Sequence, residues 1–126
     1  MSLRTPLGRV LGLGTAKDGT SHWWAQRVSA VALIFLGSWF AFLLATMPGF
    51  SHAEAVAAIG RPLNSILLLL LSVSLGYHSY LGIQVVIEDY VHAPGLKVIT
   101  LLLARFAHVL LVVVALFAVL KIGLNA

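Results

Sequence analysis

The sequence predicts an all-α membrane protein with three transmembrane helices, and three observations carry that prediction. Of its 126 residues, 60% are hydrophobic and only 10% charged, with a mean hydropathy of +1.02, well outside the range of soluble globular chains. Three apolar runs each come near the roughly 20 residues that a bilayer core requires. Pro48-Gly49, a strong helix stop, closes the first run, and the third is entered through Ala93-Pro94-Gly95. A chain of this length holds one unit, here residues 1–126, and most of it must lie in the membrane.

The elements follow in order. Residues 1–27 form an N-terminal segment, of which 1–21 mix glycines with polar and basic residues and read as irregular surface chain. No apolar stretch follows Arg4 and Arg9 at signal-peptide distance, so the first span must itself direct insertion. That span covers about 28–47 and ends at Pro48-Gly49. Within the following loop, Ser51–Gly60 suits a short interfacial helix. The second span covers about 63–87 and contains the leucine run Leu67–Leu71. After a loop at 88–95, the third span covers about 96–122. Such short connections make neighbouring helices antiparallel.

Charge sets the orientation. Arg4, Arg9, Lys17 and Arg27 precede the first span, whereas the first loop holds only Arg61. The positive-inside rule therefore predicts a cytoplasmic N-terminus, with Glu88, Asp89 and Tyr90 on the cytoplasmic side and Trp23-Trp24 in the interfacial belt. The formal charge of +4 and a pI near 10.0 do not indicate nucleic acid, because the basic residues are scattered and form no aromatic-interleaved patch. Without cysteine, the chain has no disulfide, thiolate ligand or covalent haem attachment.

The chemistry concentrates between His78 and Tyr90. An intramembrane ionisable residue is expensive and points to function. His78 and Asp89, eleven residues apart, share one helix face about 16 Å apart. A neutral imidazole can ligate haem iron through one nitrogen while the other is satisfied by a neighbour; Ser74, one turn earlier, is a candidate neighbour. The same imidazole can instead bond two helices together or relay protons. Ser74, His78, Gly82 and Asp89 make a narrow small-and-polar stripe beside Ser72 and Gly76, fit for close helix approach or for a flat cofactor, and this predicts a partner subunit. Tyr90 can donate to a quinone carbonyl, and Asp89 can relay a proton or orient an arginine. Both also suit an ordinary helix boundary. Arg27 can balance a haem propionate or anchor the helix end. His108 lies at about 18 Å depth against about 14 Å for His78, near enough for an intrachain pair. Arg105 lies one turn from His108, and neither receives a site assignment.

Together these residues resemble a known family. The array His78-x3-Gly82-x-Gln84-x4-Asp89-Tyr90-Val91 is similar to the second-helix signature of the small cytochrome b membrane anchor of succinate dehydrogenase, respiratory complex II. Gly19-Thr20-Ser21-His22-Trp23-Trp24-Ala25-Gln26-Arg27-Val28 resembles the start of that subunit's first helix. The resemblance implies a non-catalytic subunit of an oxidoreductase in a bacterial inner membrane. It implies a second three-helix partner, the large cytochrome b subunit, with haem b held between the two. His78 then supplies one axial iron ligand and the partner the other. Tyr90 contacts ubiquinone, with Asp89 as its neighbour, and Arg27 lies near the propionates. An iron–sulfur subunit and a flavoprotein subunit would complete the enzyme, which passes electrons from succinate to quinone in the respiratory chain and the tricarboxylic acid cycle. Two other readings stay open on the residues alone: a structural membrane subunit without a redox centre, and a subunit of a proton-coupled transporter.

Overall fold

A computed structural model describes residues 16–125, with side chains from residue 20 onward. Among the described residues there are four helices: α1 (Ala16–Thr46), α2 (His52–Ile59), α3 (Pro62–Tyr90) and α4 (Pro94–Asn125). Three of them are long and apolar enough to cross a membrane, over Thr20–Thr46, Pro62–Tyr90 and Pro94–Asn125. The predicted all-α, three-span architecture is the one observed.

The boundaries differ from prediction in an instructive way. The first helix starts at Ala16, so residues 16–21 are helical and not irregular as their composition suggested. Once a helix is nucleated in the apolar segment, each added residue gains a hydrogen bond at little further cost, and no proline interrupts 16–27. Hydropathy marks the edge of the hydrocarbon, whereas the hydrogen-bond ladder continues past it. The rest of the N-terminal segment, with Arg4 and Arg9, lies outside the described residues.

Helix ends are explained by local chemistry. Pro62 and Pro94 open α3 and α4, where a missing N–H costs nothing and the fixed φ suits the first turn. Ser51 caps α2 through a reciprocal box: its hydroxyl accepts from the Glu54 N–H, and the Glu54 carboxylate accepts from the Ser51 N–H at 2.9 Å. This is the Ser-x-x-Glu pattern that satisfies two orphan donors at a helix start. It confirms the short helix expected in that loop. Asn64, buried, donates from Nδ2 to the Ala58 carbonyl at 2.8 Å, tying the end of α2 to the start of α3.

The long helices stand in a row. Among the described residues α1 packs on α3 and α3 on α4, while α1 and α4 do not meet. Glycine controls the second seam: a Cβ on Gly76 would overlap Val112 Cγ2, so only glycine lets α3 and α4 come this close. Little is enclosed. Among the described residues Ser29, Asn64, Leu81 and Val119 are the buried ones, while Phe35 and Phe117 remain 73% and 66% exposed. Apolar side chains facing outward are the expected surface of a chain solvated by lipid.

Candidate functional site

His78 faces α1. Its Nδ1 lies 2.9 Å from the Ser29 hydroxyl, and Ser29 is only 7% exposed. The same hydroxyl donates to the Gln26 carbonyl at 3.1 Å. With its one proton directed there, the Ser29 oxygen would accept from an Nδ1–H of His78. In that tautomer Nε2 carries the lone pair. It meets only the Gln26 side-chain amide, at a long 3.4 Å, near the limit of a useful hydrogen bond.

The neighbour of His78 is therefore Ser29, from another helix, and not Ser74 from its own. Ser74 instead lines a groove of about 270 Å³ between α1 and α3 that also touches Ser29 and Tyr77. A serine one turn away in α3 was the natural choice from spacing. A buried serine in the packed helix reaches the ring first. Gln26 and Ser29, three residues apart, share one face of α1, and that i, i+3 polar pair in an apolar run was the signal available in the sequence.

Beyond the Gln26 amide lies a cleft of about 460 Å³ lined by His22, Trp23, Gln26, Arg27, Gly82 and Val85. Gly82 has open space where a Cβ would stand. His22 Nε2 and Gln26 Oε1 are buried without a hydrogen-bond partner, which is costly unless something outside the chain completes them. The Arg27 guanidinium sits 5.4 Å from the centre of the Trp23 ring, a cation–π contact that holds the charge at the mouth of this cleft.

Asp89 and Tyr90 stand apart at the end of α3. Both are exposed, Tyr90 to 78%, and the structure brings neither into the cleft beside His78. Next to them, Glu88 accepts from the Gln84 amide at 2.8 Å, and Lys97 donates to the Glu88 backbone carbonyl at 3.0 Å. These bonds brace the α3–α4 turn and leave Asp89 and Tyr90 presented outward.

The second intramembrane histidine belongs to a different seam. His108 Nε2 lies 3.1 Å from the Ser79 hydroxyl, and its Nδ1 lies 2.7 Å from the Ala104 carbonyl. His78 and His108 thus face opposite neighbours, and the intrachain pair that their depths allowed does not form. Among the described residues no group of three or more His, Cys, Asp or Glu converges on one point. A metal ion bound at His78 would need its other ligands from outside this chain.

The chain matches the succinate dehydrogenase/fumarate reductase transmembrane subunit family over residues 1–120. It is 32% identical to the succinate dehydrogenase hydrophobic membrane anchor subunit of Paracoccus denitrificans over 122 residues, covering 97% of this chain and 94% of the relative. It is 29% identical to the protein of that name from Rickettsia bellii over 116 residues, covering 92% and 93%. With the succinate dehydrogenase membrane anchor subunit of Reclinomonas americana it shares 33% over 92 residues, covering 71% and 77%. No solved structure matches. Three apolar helices in a row, a polar seam at His78 and similarity along almost the full length agree: the chain belongs to the succinate dehydrogenase membrane anchor family.

Proposed function

We propose that this anchor subunit carries half of a haem b site at His78 and part of a ubiquinone site at Tyr90, and that it fastens the catalytic subunits of succinate dehydrogenase to a bacterial inner membrane. The observation that carries the reading is the state of the His78 ring. The Ser29 hydroxyl holds Nδ1, and Nε2 keeps only a long contact to the amide of Gln26, a residue that lines the neighbouring cleft. A metal-ligating histidine usually donates its other N–H in this way, which fixes tautomer and orientation.

The residues fit the group. Haem needs an imidazole lone pair, a flat apolar bed and polar groups for its propionates. The cleft offers Gln26, whose amide stands between it and His78 Nε2, the bare backbone of Gly82, and Arg27 with the unpartnered His22 Nε2. Arg27 would pair with a propionate and His22 would donate or accept beside it. Gln26 would swing its amide away from Nε2, a displacement that costs little at 3.4 Å. A bound haem would supply a one-electron carrier within the membrane. The other ligand and the other wall would come from the large cytochrome b subunit, since this row of helices closes only one side.

At the surface, Tyr90 would donate its phenol proton to a quinone carbonyl, and Asp89 would pass protons from water. Quinone reduction consumes two protons, so the water-exposed end of α3 suits that chemistry. Succinate oxidation itself would occur on the flavoprotein subunit, with electrons arriving through the iron–sulfur subunit. The basic residues ahead of the first apolar run support a cytoplasmic N-terminus, and with it docking of those subunits at the Tyr90 end.

The test uses the whole purified complex. A reduced-minus-oxidised optical spectrum should show a b-type haem band that is lost in His78→Ala; a band unchanged by that substitution overturns the ligand assignment and leaves His78 as a bond between helices. Tyr90→Phe should impair succinate–quinone turnover while leaving succinate oxidation by a soluble dye intact. Equal quinone kinetics would remove Tyr90 from the site.

A further inference from the structure

A second polar cluster sits on the α3–α4 seam and takes no part in the reading above. Arg105 Nε donates to the Tyr80 hydroxyl at 3.1 Å, and its guanidinium lies 5.5 Å from the centre of the Tyr80 ring. The His108 ring packs edge-on against the same tyrosine at 5.8 Å. Arg105 is nonetheless exposed, and its two terminal nitrogens have no partner among the described residues. The four carboxylates of the chain, Asp18, Glu54, Glu88 and Asp89, all lie at or beyond helix ends. A permanently charged group held among apolar helices without a counter-charge is costly, and an anion supplied by another molecule would relieve that cost.

The shape of the surface says which molecule. From Arg105 and Tyr80 a cleft of about 430 Å³ runs along the seam past Tyr77, Val109, Val112 and Val113. It leads away from the Tyr90–Pro94 end and toward the middle of the span. A charged head with an apolar groove descending from it is the outline of a phospholipid. Depth agrees. Helix α3 has 29 residues, about 43 Å against a hydrocarbon core of about 30 Å, so its ends protrude. Tyr80, ten residues and about 15 Å before the end of α3, then lies within roughly 10 Å of the hydrocarbon boundary. Helical side chains lean toward their own N-terminus, which carries the Arg105 guanidinium toward the Pro94 end and the headgroups.

The face also matters. Tyr80 and Gly82 are two residues apart, about 160° from one another round α3. A partner subunit that closes the cleft at Gly82 leaves the Arg105 face to lipid; this one step rests on the proposed haem site. The geometry points to a specific binding site for an anionic phospholipid at Arg105 and Tyr80, with one acyl chain in the valine-lined groove below. The guanidinium takes the phosphate through its two free nitrogens, a bidentate match, and the Tyr80 hydroxyl orients it. Basic pockets between membrane helices are known to take such headgroups.

The test is native mass spectrometry of the intact complex, stripped of lipid in detergent and titrated with cardiolipin, phosphatidylglycerol or the zwitterionic phosphatidylcholine. The unsubstituted complex should retain or rebind the anionic lipids in preference to phosphatidylcholine. Arg105→Gln should weaken anionic binding by about fivefold or more, with Arg105→Lys restoring part of it. Val113→Phe, which leaves the charge in place and fills the groove, should also lower occupancy. Equal anionic and zwitterionic binding, or equal binding by Arg105→Gln and the unsubstituted complex, overturns the site. So does a carboxylate of a partner subunit cross-linking at position 105. Lipid occupancy is read without any haem band, so failure here is separate from failure at His78.

Discussion

Two histidines in this chain use the same ingredients and reach opposite states. Each sits within a membrane span, and each meets a serine on a neighbouring helix, His78 with Ser29 at 2.9 Å and His108 with Ser79 at 3.1 Å. The difference is which ring nitrogen the serine takes. At His108, Nδ1 is spent on the Ala104 carbonyl of its own helix at 2.7 Å, so Ser79 occupies the remaining Nε2 and the ring is saturated. At His78 the serine takes Nδ1, and Nε2 keeps only a stretched contact to an amide. One ring has both nitrogens firmly engaged, and the other leaves Nε2 weakly held. The hydrogen bonds a histidine leaves unmade say more about its work than its presence in the hydrocarbon does.

The sharpest break in this contrast comes from removing each ring in turn. His78→Ala should abolish the haem spectrum of the complex, whereas His108→Ala should preserve it and lower only the thermal stability of assembly. If both substitutions erase the spectrum, the division between ligand and fastener fails.

Glycines on the two seams sharpen it next. Gly76→Ala forces a Cβ into Val112 and should destabilise the α3–α4 pair by about 1–3 kcal/mol, the usual cost of overpacking. Gly82→Ala meets open space within this chain, so it should spare the fold and disturb only what occupies the cleft. Thermal denaturation of the complex, followed beside haem content, separates the two. A Gly82→Ala variant with lowered stability and unchanged haem would reverse the assignment.

A smaller effect is expected at the serines. Ser29→Ala removes the bond that fixes the His78 tautomer and should weaken haem retention by about ten- to hundredfold, visible as a lower haem-to-protein ratio on dilution. Ser79→Ala should leave that ratio alone and cost about 0.6 kcal/mol, typical of interhelical hydrogen bonds in membranes.

The smallest effect lies away from both seams. The Glu54 carboxyl is held below its ordinary range by hydrogen bonds from the Ser51 hydroxyl and N–H. Since its folded pKa is depressed, the cap is fully formed above the usual carboxylate range and is lost as pH falls through the lowered value. Amide exchange in 52–59 should therefore quicken in acid below pH 4.5, relative to α3. Ser51→Ala should quicken it at neutral pH as well, by about 1 kcal/mol of lost capping. Exchange that ignores both pH and substitution would mean α2 is fixed by packing alone.

How much of this was legible beforehand depends on whether the cause is local. The three spans, the stop at Pro48-Gly49, the entry at Pro94 and the short α2 follow from runs and caps, and each appeared near its predicted position. The start of α1 did not, because hydropathy reports where lipid ends and says nothing of where a hydrogen-bond ladder stops. His78 stood out as a charge-capable residue in an apolar run. Its serine could not be chosen from spacing, since Ser74 is four residues away and Ser29 forty-nine. Pairing across a seam depends on how two helices rotate against each other, and Leu81, Ser29 and the Gly76 contact with Val112 set that rotation together. Tyr80 and Arg105 were hidden for the same reason.

The single-file arrangement of α1, α3 and α4 also governs how such a sequence can change over time. With two faces on every helix and almost nothing enclosed, most positions see lipid tails that treat leucine, valine, isoleucine and phenylalanine alike. Mutational drift among these is close to neutral, and relatives can diverge to 32% identity across 97% of the chain without redesigning anything. The slack ends at a few polar seams. A constraint map of this molecule, drawn by deep mutational scanning, should look like two thin stripes on an otherwise permissive wall.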